Sequence, residues 1–306
     1  MSDGTDRRGL LKCMAWVGTG VVWTIAGGVP RSLPIEQAEA ATLDDLLFAQ
    51  ISDSHIGFNK DANTDVPATV KAGIDRIRAL PKAPAFMLHT GDISHLSKPG
   101  EFDLADQLIG ASRLQVFYVP GEHDMLVDNG ASYLERYGKG SRGAGWHSFD
   151  HSGVHFVGLV NVVDLRPGGM GRLGDEQLEW LEQDLAGRSA EQPIVVFAHI
   201  PLWTVYPAWG WGTEDSARAL GYLKRFGSVT VLNGHIHQVM QKVEGNVTFH
   251  TAMSTAFPQP HPGEAASPGP MKVPADQLRH LLGTTDVVFK RSAGTLAIVD
   301  QPLARG

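Results

Sequence analysis

The chain has 306 residues, of which 42% are hydrophobic and 19% are charged, as in an ordinary globular protein. Its formal net charge of −7 argues against binding to nucleic acids or to anionic membranes. Its single cysteine, Cys13, excludes an intramolecular disulfide, so stability must come from a packed core. A chain of this length can bury one large α/β core.

The first 40 residues have the three parts of an export signal. A basic segment, DRRGLLK, precedes a modestly apolar stretch (13–29), and an Ala-Glu-Ala sequence follows. Arg7 and Arg8 with the leucines after them resemble a twin-arginine signal. We therefore expect a signal peptide at 1–40, and a periplasmic or secreted domain at 41–306 without a membrane anchor. An uncleaved anchor is the alternative, although the apolar stretch is short and contains four glycines.

Five short apolar runs end in residues that bind metals. Runs of β-branched and aromatic residues that stop at Gly, Asp or His indicate buried strands, and open α/β sheets place their sites at the carboxyl ends of such strands. The runs are FAQIS-DSH, FMLHT-GD, VFYVP-GEHD, IVVFA-H and VTVLN-GHIH, and they supply Asp53, His55, Asp92, Glu122, His123, Asp124, His199, His235 and His237. Imidazoles and carboxylates without a thiolate favour a pair of borderline-to-hard ions over a structural zinc.

Between these runs the chain alternates helical and extended patterns. Helical periodicity predicts helices at 66–79, 101–112, 175–186 and 216–226. Further strands are predicted at 145–150, 155–160, 246–251 and 294–299. This alternation favours an α/β domain with two mixed sheets packed face to face and helices outside.

Two loops are candidates for shaping specificity. The segment PLWTVYPAWGWG after His199 carries Trp203, Trp209 and Trp211, which either pack inward or form a rim that stacks on the substrate. The segment 257–274 contains six prolines and is predicted to be an extended, irregular arm.

The histidines outside the five motifs are predicted to be core or surface residues. Among them, His250 is the best candidate to contact a metal ligand from outside. The others are His89, His95, His147, His151, His155, His261 and His280.

The ordered set D-x-H, G-D, G-E-H-D, H and G-H-x-H resembles the motifs of the calcineurin-like metallophosphoesterases, which include purple acid phosphatases and cyclic nucleotide phosphodiesterases. Each motif alone is common, but order, glycine placement and strand context all agree over 46–251. The resemblance implies a four-layer αββα sandwich and a dinuclear, metal-dependent hydrolase. Its substrate would be a small phosphomonoester or phosphodiester.

The resemblance also implies how the ligands are divided between two metal ions. Asp92 would bridge the ions, and position 122 would complete the second site. The other ligands would be Asp53, His55 and His237 at one ion, and His199 and His235 at the second.

The chemistry of ester hydrolysis agrees with these residue types. Two ions about 3.5–4 Å apart can generate a metal-bound hydroxide and clamp the phosphoryl oxygens. Asp92 can bridge because a carboxylate has two oxygens with spare lone pairs. In D-x-H and H-x-H, residues two apart in an extended chain project to one side, so both should reach the ion pair. His123 is the candidate proton donor, and Asp124 is expected to orient its imidazole.

Glu122 departs from the family motif, which has Asn at this position. An ionised glutamate cannot donate a hydrogen bond to phosphate as an amide does. Asp53, Asp92, Glu122 and a hydroxide carry four negative charges, which cancel two divalent ions. A trivalent ion would restore a positive centre, so we expect iron paired with manganese, zinc or a second iron. The alternatives are that Glu122 turns out of the shell, or that the protein is an exported metal-binding or redox-type protein with little hydrolytic activity.

Overall fold

The computed structural model describes residues 22–26, 29–33, 45–166, 168–291 and 295–304. The strands in these ranges are β1 (Val22–Ala26), β2 (Val29–Leu33), β3 (Leu46–Ile51), β4 (Met87–Thr90), β5 (Val116–Val119), β6 (His147–His151), β7 (Val154–Gly158), β8 (Ile194–Phe197), β9 (Val229–Asn233), β10 (Met240–Glu244), β11 (Val247–Thr251), β12 (Gly283–Lys290) and β13 (Thr295–Pro302). The α-helices of the same ranges are α1 (Val66–Arg78), α2 (Pro99–Gly110), α3 (Ala131–Tyr137), α4 (Asp175–Leu185), α5 (Ser216–Leu223) and α6 (Ala275–Leu281).

The described strands form two mixed sheets. The first has the order β2-β1-β13-β12-β3-β4-β5, in which β3, β4 and β5 are parallel and β12 is antiparallel to β3. The second has the order β10-β11-β9-β8-β7-β6, with β11, β9, β8 and β7 parallel. The strands that precede the five motifs are β3, β4 and β5 in one sheet and β8 and β9 in the other.

The apolar runs are continuous because both faces of their strands are buried. In β3, Phe48 packs into the core between the sheets, whereas Ile51 packs against the helices on the outer face. In β8, Phe197 points into the same central core and Val196 points outward. The outer core of the first sheet includes residues of α1, α2 and α3, and that of the second includes residues of α4 and α5.

The predicted fold is confirmed as two mixed sheets flanked by helices. The four predicted helices correspond to α1, α2, α4 and α5, and the four further strands to β6, β7, β11 and β13, all with shifted ends. The elements α3, α6, β1, β2, β10 and β12 were not predicted. Strand β12 was missed because the polar residues Thr284, Thr285 and Asp286 interrupt its apolar pattern, although all three are buried in the sheet.

Most of the predicted signal peptide lies outside the described residues. Its described residues form β1 and β2. The backbone of β1 pairs with β2, and it also pairs with β13, where Trp23 lies opposite Ile298. None of the described helices has the length and apolar character needed to cross a membrane.

Candidate metal centre

The carboxyl ends of the five strands bring the predicted ligands together in two groups that share one carboxylate. Site 1 consists of Asp53, His55 and His237, and site 2 consists of Glu122, His199 and His235. In each group, the candidate ligand atoms lie within 4.8 Å of one another. Asp92 lies between the groups, with Oδ2 at 3.4 Å from both His55 Nε2 and His199 Nε2. Asp92, to which the resemblance assigned a bridging role, therefore lies between the two groups.

The three candidate ligands of site 1 are buried. Nε2 of His237 lies 3.2 Å from Asp53 Oδ1 and 3.2 Å from His55 Nε2, and all three residues are buried. On its other side, Nδ1 of His237 lies 2.5 Å from the carbonyl oxygen of Phe257. Because a carbonyl only accepts hydrogen bonds, Nδ1 carries the proton and Nε2 keeps the lone pair that a metal ion requires.

Site 2 contains the glutamate that departs from the family motif. Its carboxylate points inward, with Oε2 at 2.9 Å from His199 Nε2 and Oε1 at 3.0 Å from His235 Nδ1. The other ring nitrogen of His199, Nδ1, donates to the carbonyl oxygen of Thr90 at 2.7 Å. Glu122 thus faces both imidazoles of site 2 rather than solvent.

The charges of site 2 stabilise each other in the absence of an ion. Burial raises the pKa of Glu122, but the facing imidazoles of His235 and His199 outweigh this effect and hold its pKa well below the usual value. Burial lowers the pKa of His199, but Asp92 and Glu122 outweigh it and raise that pKa well above the usual value.

Five of the seven candidate ligands have a left-handed backbone, with φ of 51° at Asp53, 37° at His55, 53° at Asp92, 70° at His235 and 53° at His237. The expectation that D-x-H and H-x-H are extended is therefore wrong. These five residues instead follow their strands in left-handed conformations, and their side chains converge on the centre. Such conformations cost on the order of 1–3 kcal/mol each and are typical of functional sites.

Two motif glycines leave room for these turns. A Cβ atom on Gly234 would overlap Ser52 Oγ and Asp53 Oδ2, and a Cβ atom on Gly121 would overlap Asp92 Oδ1. The glycines of G-H-I-H and G-E-H-D therefore allow neighbouring motifs to pack against the two central carboxylates.

The donor set fits a pair of metal ions. Nitrogen and oxygen ligands at about 2.0–2.1 Å from a tetrahedral ion lie roughly 3.4 Å from each other. Most of the donor–donor distances within sites 1 and 2 and to Asp92 are between 2.9 and 3.4 Å. The described side chains thus already approximate a ligand shell.

The family model of the calcineurin-like phosphoesterases matches residues 46–239, which is more than half of the chain. The chain belongs to this family. It is 27% identical over 233 residues to the glycerophosphodiester phosphodiesterase GpdQ of Enterobacter lignolyticus, covering 73% of this chain and 82% of that protein. It is 25% identical over 178 residues to a probable cyclic nucleotide phosphodiesterase of Psychrobacter sp., covering 55% of this chain and 51% of the relative.

Solved structures have the same fold. A dimetal phosphatase from Danio rerio superimposes with a TM-score of 0.59 at 13% identity, covering 85% of this chain and 97% of the other. A purple acid phosphatase from yellow lupin seeds superimposes with a TM-score of 0.57 at 12% identity, covering 82% and 50%. Membership of the calcineurin-like phosphoesterases makes the protein a metal-dependent hydrolase of phosphate esters.

In this phosphoesterase, the candidate proton donor is oriented differently from our expectation. Nδ1 of His123 donates to the carbonyl oxygen of His95 at 2.6 Å, not to Asp124. The carboxylate of Asp124 accepts from the backbone N–H groups of Ile93, Ser94 and Gly121 at 2.8–3.0 Å. The prediction that Asp124 orients the imidazole is therefore wrong. Through these hydrogen bonds, Asp124 instead links the segment that follows Asp92 to the segment that carries His123.

The charges around His123 favour its protonated form. Burial lowers the pKa of His123, but the carboxylates of Asp92 and Glu122 outweigh it and raise the pKa. Burial and the charge of Asp92 raise the pKa of Asp124 to about 6.

Two histidines to which the motifs assigned no role contact the centre. The ring of His95 stacks on that of His123, with centroids 4.9 Å apart, and its Nδ1 lies 3.4 Å from His55 Nδ1. His89 reaches the D-x-H turn from behind, with Nε2 at 2.9 Å from Ser54 Oγ. Their places in the sequence could have indicated these contacts, because His95 follows Asp92 closely and His89 precedes it at the end of β4.

Two other expectations need correction. Nε2 of His250 lies 2.9 Å from Asp300 Oδ2, so this imidazole binds an aspartate of β13 rather than a metal ligand. Trp203, Trp209 and Trp211 are all buried in the core beneath α4 and α5. The inward-packed alternative therefore describes these three residues, which do not form a substrate rim.

Proposed function

We propose that the protein is an exported phosphoesterase with two metal ions that hydrolyses a small phosphodiester or phosphomonoester. The observation that carries the proposal is the pair of donor groups that share Asp92, with His123 beside them. Site 1 would hold one ion and site 2 the other. When bound, the ions would lower the pKa of the water molecule that acts as the nucleophile and would neutralise the charge of the phosphoryl oxygens.

His123 would donate the proton to the leaving oxygen. Because its Nδ1 is bonded to the carbonyl of His95, its Nε2 is the nitrogen available to the substrate. Its backbone N–H also donates to Asp92 Oδ1 at 2.9 Å, which fixes the turn relative to the metal centre.

The relatives favour a diester as the substrate. One of them is named a glycerophosphodiester phosphodiesterase and another a probable cyclic nucleotide phosphodiesterase. A diester carries one negative charge at its phosphoryl group, and a less positive centre can still bind it. This suits a centre in which Glu122 adds a negative charge.

The inward orientation of Glu122 supports an iron-containing centre. Three carboxylates and a hydroxide cancel the charge of two divalent ions, whereas Fe(III) with Mn(II), Zn(II) or Fe(II) leaves one positive charge to attract the phosphoryl group. We therefore propose iron together with manganese, zinc or a second iron. Full activity in a protein that contains only Zn(II) would contradict this assignment.

The second candidate is a metal-binding or redox-type protein with little esterase activity. The inward orientation of Glu122 supports this candidate, because its carboxylate lies where the family has a neutral amide that can donate to phosphate.

Turnover of aryl phosphate monoesters and diesters by the metal-loaded protein separates the two candidates. Glu122→Asn is the decisive variant, and His123→Ala tests the proposed proton donor. We expect turnover in the wild type that His123→Ala reduces. No turnover in the wild type together with turnover in Glu122→Asn would support the second candidate.

Export is tested separately, by fractionating cells that produce the wild-type chain or a variant with Arg7 and Arg8 both replaced by Lys. We expect the wild type to be processed and exported and the variant to be retained. Equal export of both would contradict a twin-arginine route.

A further inference from the structure

One face of the metal centre is covered by a single aromatic ring. Phe257 is 3% exposed, and its ring stacks on His55 with centroids 4.7 Å apart and an angle of 28° between planes. The same ring lies 4.7 Å from that of His237 at 41°. Phe58 packs on Phe257 at 4.4 Å. Phe257 thus contacts both imidazoles of site 1.

The backbone of Phe257 is held to the same site. Its carbonyl oxygen accepts from His237 Nδ1, and its N–H donates to Ser254 Oγ at 3.2 Å. Ser254 Oγ in turn donates to the carbonyl oxygen of Asp53 at 2.8 Å. A short chain of hydrogen bonds therefore links Asp53 to His237 through the residues that carry the ring.

The residues after Phe257 hold the arm in place over the G-H-I-H turn. Nε2 of Gln238 donates to the carbonyl oxygens of Gln259 and Pro260 at 2.9 and 2.7 Å. Nε2 of Gln259 donates to the carbonyl oxygen of His235 at 3.1 Å. The start of the proline-rich arm is thus part of the metal centre.

Site 2 is not covered in this way. The side chain of Glu122 is 25% exposed and that of His235 is 13% exposed, whereas those of His55 and His237 are nearly inaccessible. The ring of Phe257 therefore acts on one half of the centre.

We propose that Phe257 is a positioning residue that sets the rings of His55 and His237 for the ion of site 1. The proposal rests on the two-ion centre proposed above. Without the aromatic face, the imidazole of His55 gains freedom to rotate about its side-chain bonds, and that of His237 is held only by its hydrogen bond to the carbonyl oxygen of Phe257. Binding an ion must then restrict more motion. Hydrogen-bonding partners that orient metal ligands typically contribute 10–100-fold to metal affinity or activity, and we expect the packed ring to act at the lower end of this range. Loss of the ring should weaken site 1 by about tenfold and leave site 2 unchanged.

Mn²⁺ titration of the full-length protein tests this, with the bound ions counted by elemental analysis after dialysis. Phe257→Leu removes the ring and keeps the backbone hydrogen bonds. Phe102→Leu is the matched control, because Phe102 is buried in the same core and its ring packs against Tyr137 and Arg136. We expect the wild type and Phe102→Leu to bind two ions tightly. We expect Phe257→Leu to bind one ion tightly and the other with lower affinity.

The weakened site is located by removing one ligand set at a time. In a His235→Ala background the tighter remaining ion occupies site 1, and Phe257→Leu should weaken it about tenfold. In a His55→Ala background the tighter remaining ion occupies site 2, and Phe257→Leu should change its affinity less than twofold. Equal effects in both backgrounds would show a general structural role and overturn the proposal.

The thermal stability of the metal-free variants separates folding from positioning. Phe257→Leu and Phe102→Leu should lower the melting temperature similarly, since each removes one buried ring. Retention of two tight ions by Phe257→Leu would overturn the proposal even if esters are hydrolysed. A wild-type chain that binds two ions but hydrolyses no ester would instead contradict the proposed function and leave the titration decisive for Phe257.

Discussion

Sites 1 and 2 share Asp92, but the chain holds their other ligands differently. All three residues of site 1 have a left-handed backbone and are buried, and the ring of Phe257 covers two of them. Site 2 combines one left-handed residue, His235, with Glu122 in a short 3-10 turn, and both side chains are partly exposed.

The contrast shows how one centre can combine a rigid half with an accessible half. In the proposed two-ion centre, burial and aromatic packing would hold the ligands of site 1 in place, which would lower the cost of ordering them when an ion binds. Site 2 opens to solvent next to His123, so we expect the substrate to approach from this side. Glu122 lies at this open side, where its charge acts directly on an anionic substrate.

Removing the residue that joins the two sites should have the largest effect. Asp92→Ala deletes the carboxylate that lies 3.4 Å from a histidine of each site. We expect the rate of ester hydrolysis to fall by about four orders of magnitude, because both the nucleophile and the phosphate clamp depend on the ions. A chain that keeps two ions and more than one tenth of its activity would contradict the bridging role.

His123→Ala tests the open side of the centre without removing a ligand of site 1 or site 2. We expect the hydrolysis rate to fall about 100–1000-fold with the metal content unchanged, since a general acid contributes this much. The loss should be larger for an alkyl ester than for a nitrophenyl ester, whose leaving group needs less protonation. Equal losses for both esters would point to a positioning role instead.

Gly234→Ala tests the packing of site 1. The added Cβ atom would overlap Ser52 Oγ and Asp53 Oδ2, so we expect chemical denaturation to show a loss of about 3 kcal/mol together with weaker binding of one ion. Gly227→Ala is the control, because its added Cβ atom would meet only the carbonyl oxygen of Ala190 at an ordinary 3.7 Å. Similar losses in both variants would show that the packing around Asp53 is not special.

The smallest expected effect concerns His89, behind site 1. Burial lowers the pKa of His89 from 6.5 to about 3. Between these values the unfolded chain binds one more proton than the folded chain, so the folded state loses stability as pH falls. We expect this residue to account for about 2 kcal/mol of stability lost between pH 7 and pH 5 in the metal-free protein. The wild type should therefore lose more stability than His89→Gln over this interval, and parallel denaturation curves would contradict the shift.

The layers, the motif strands and the candidate ligands that the fold brings together could be predicted from the sequence, because each depends on local patterns. A run such as VTVLN followed by GHIH reports a buried strand and its ligands within a few neighbouring residues. The bridging role of Asp92 was implied by the resemblance to the calcineurin-like metallophosphoesterases, and its carboxylate lies 3.4 Å from a histidine of each group.

The remaining features depend on contacts that local patterns do not encode. The left-handed turns at Asp53 and His235 exist because neighbouring motifs hydrogen-bond to them, as when His235 N–H donates to Asp53 Oδ1 at 3.0 Å. The partner of His123 is a backbone carbonyl, which every residue possesses, so its sequence carries no signal. Phe257 lies about 200 residues from His55 along the chain, and only the fold brings their rings together.

The most direct test of the two-ion centre is the hydrolysis of bis(p-nitrophenyl) phosphate by the metal-free protein as metal is added in known equivalents. The arrangement of sites 1 and 2 around Asp92 predicts little turnover with the first equivalent and a steep rise to a plateau at two ions per chain. Full activity at one ion per chain, or no turnover of this diester and of the matching monoester at two, would contradict the account.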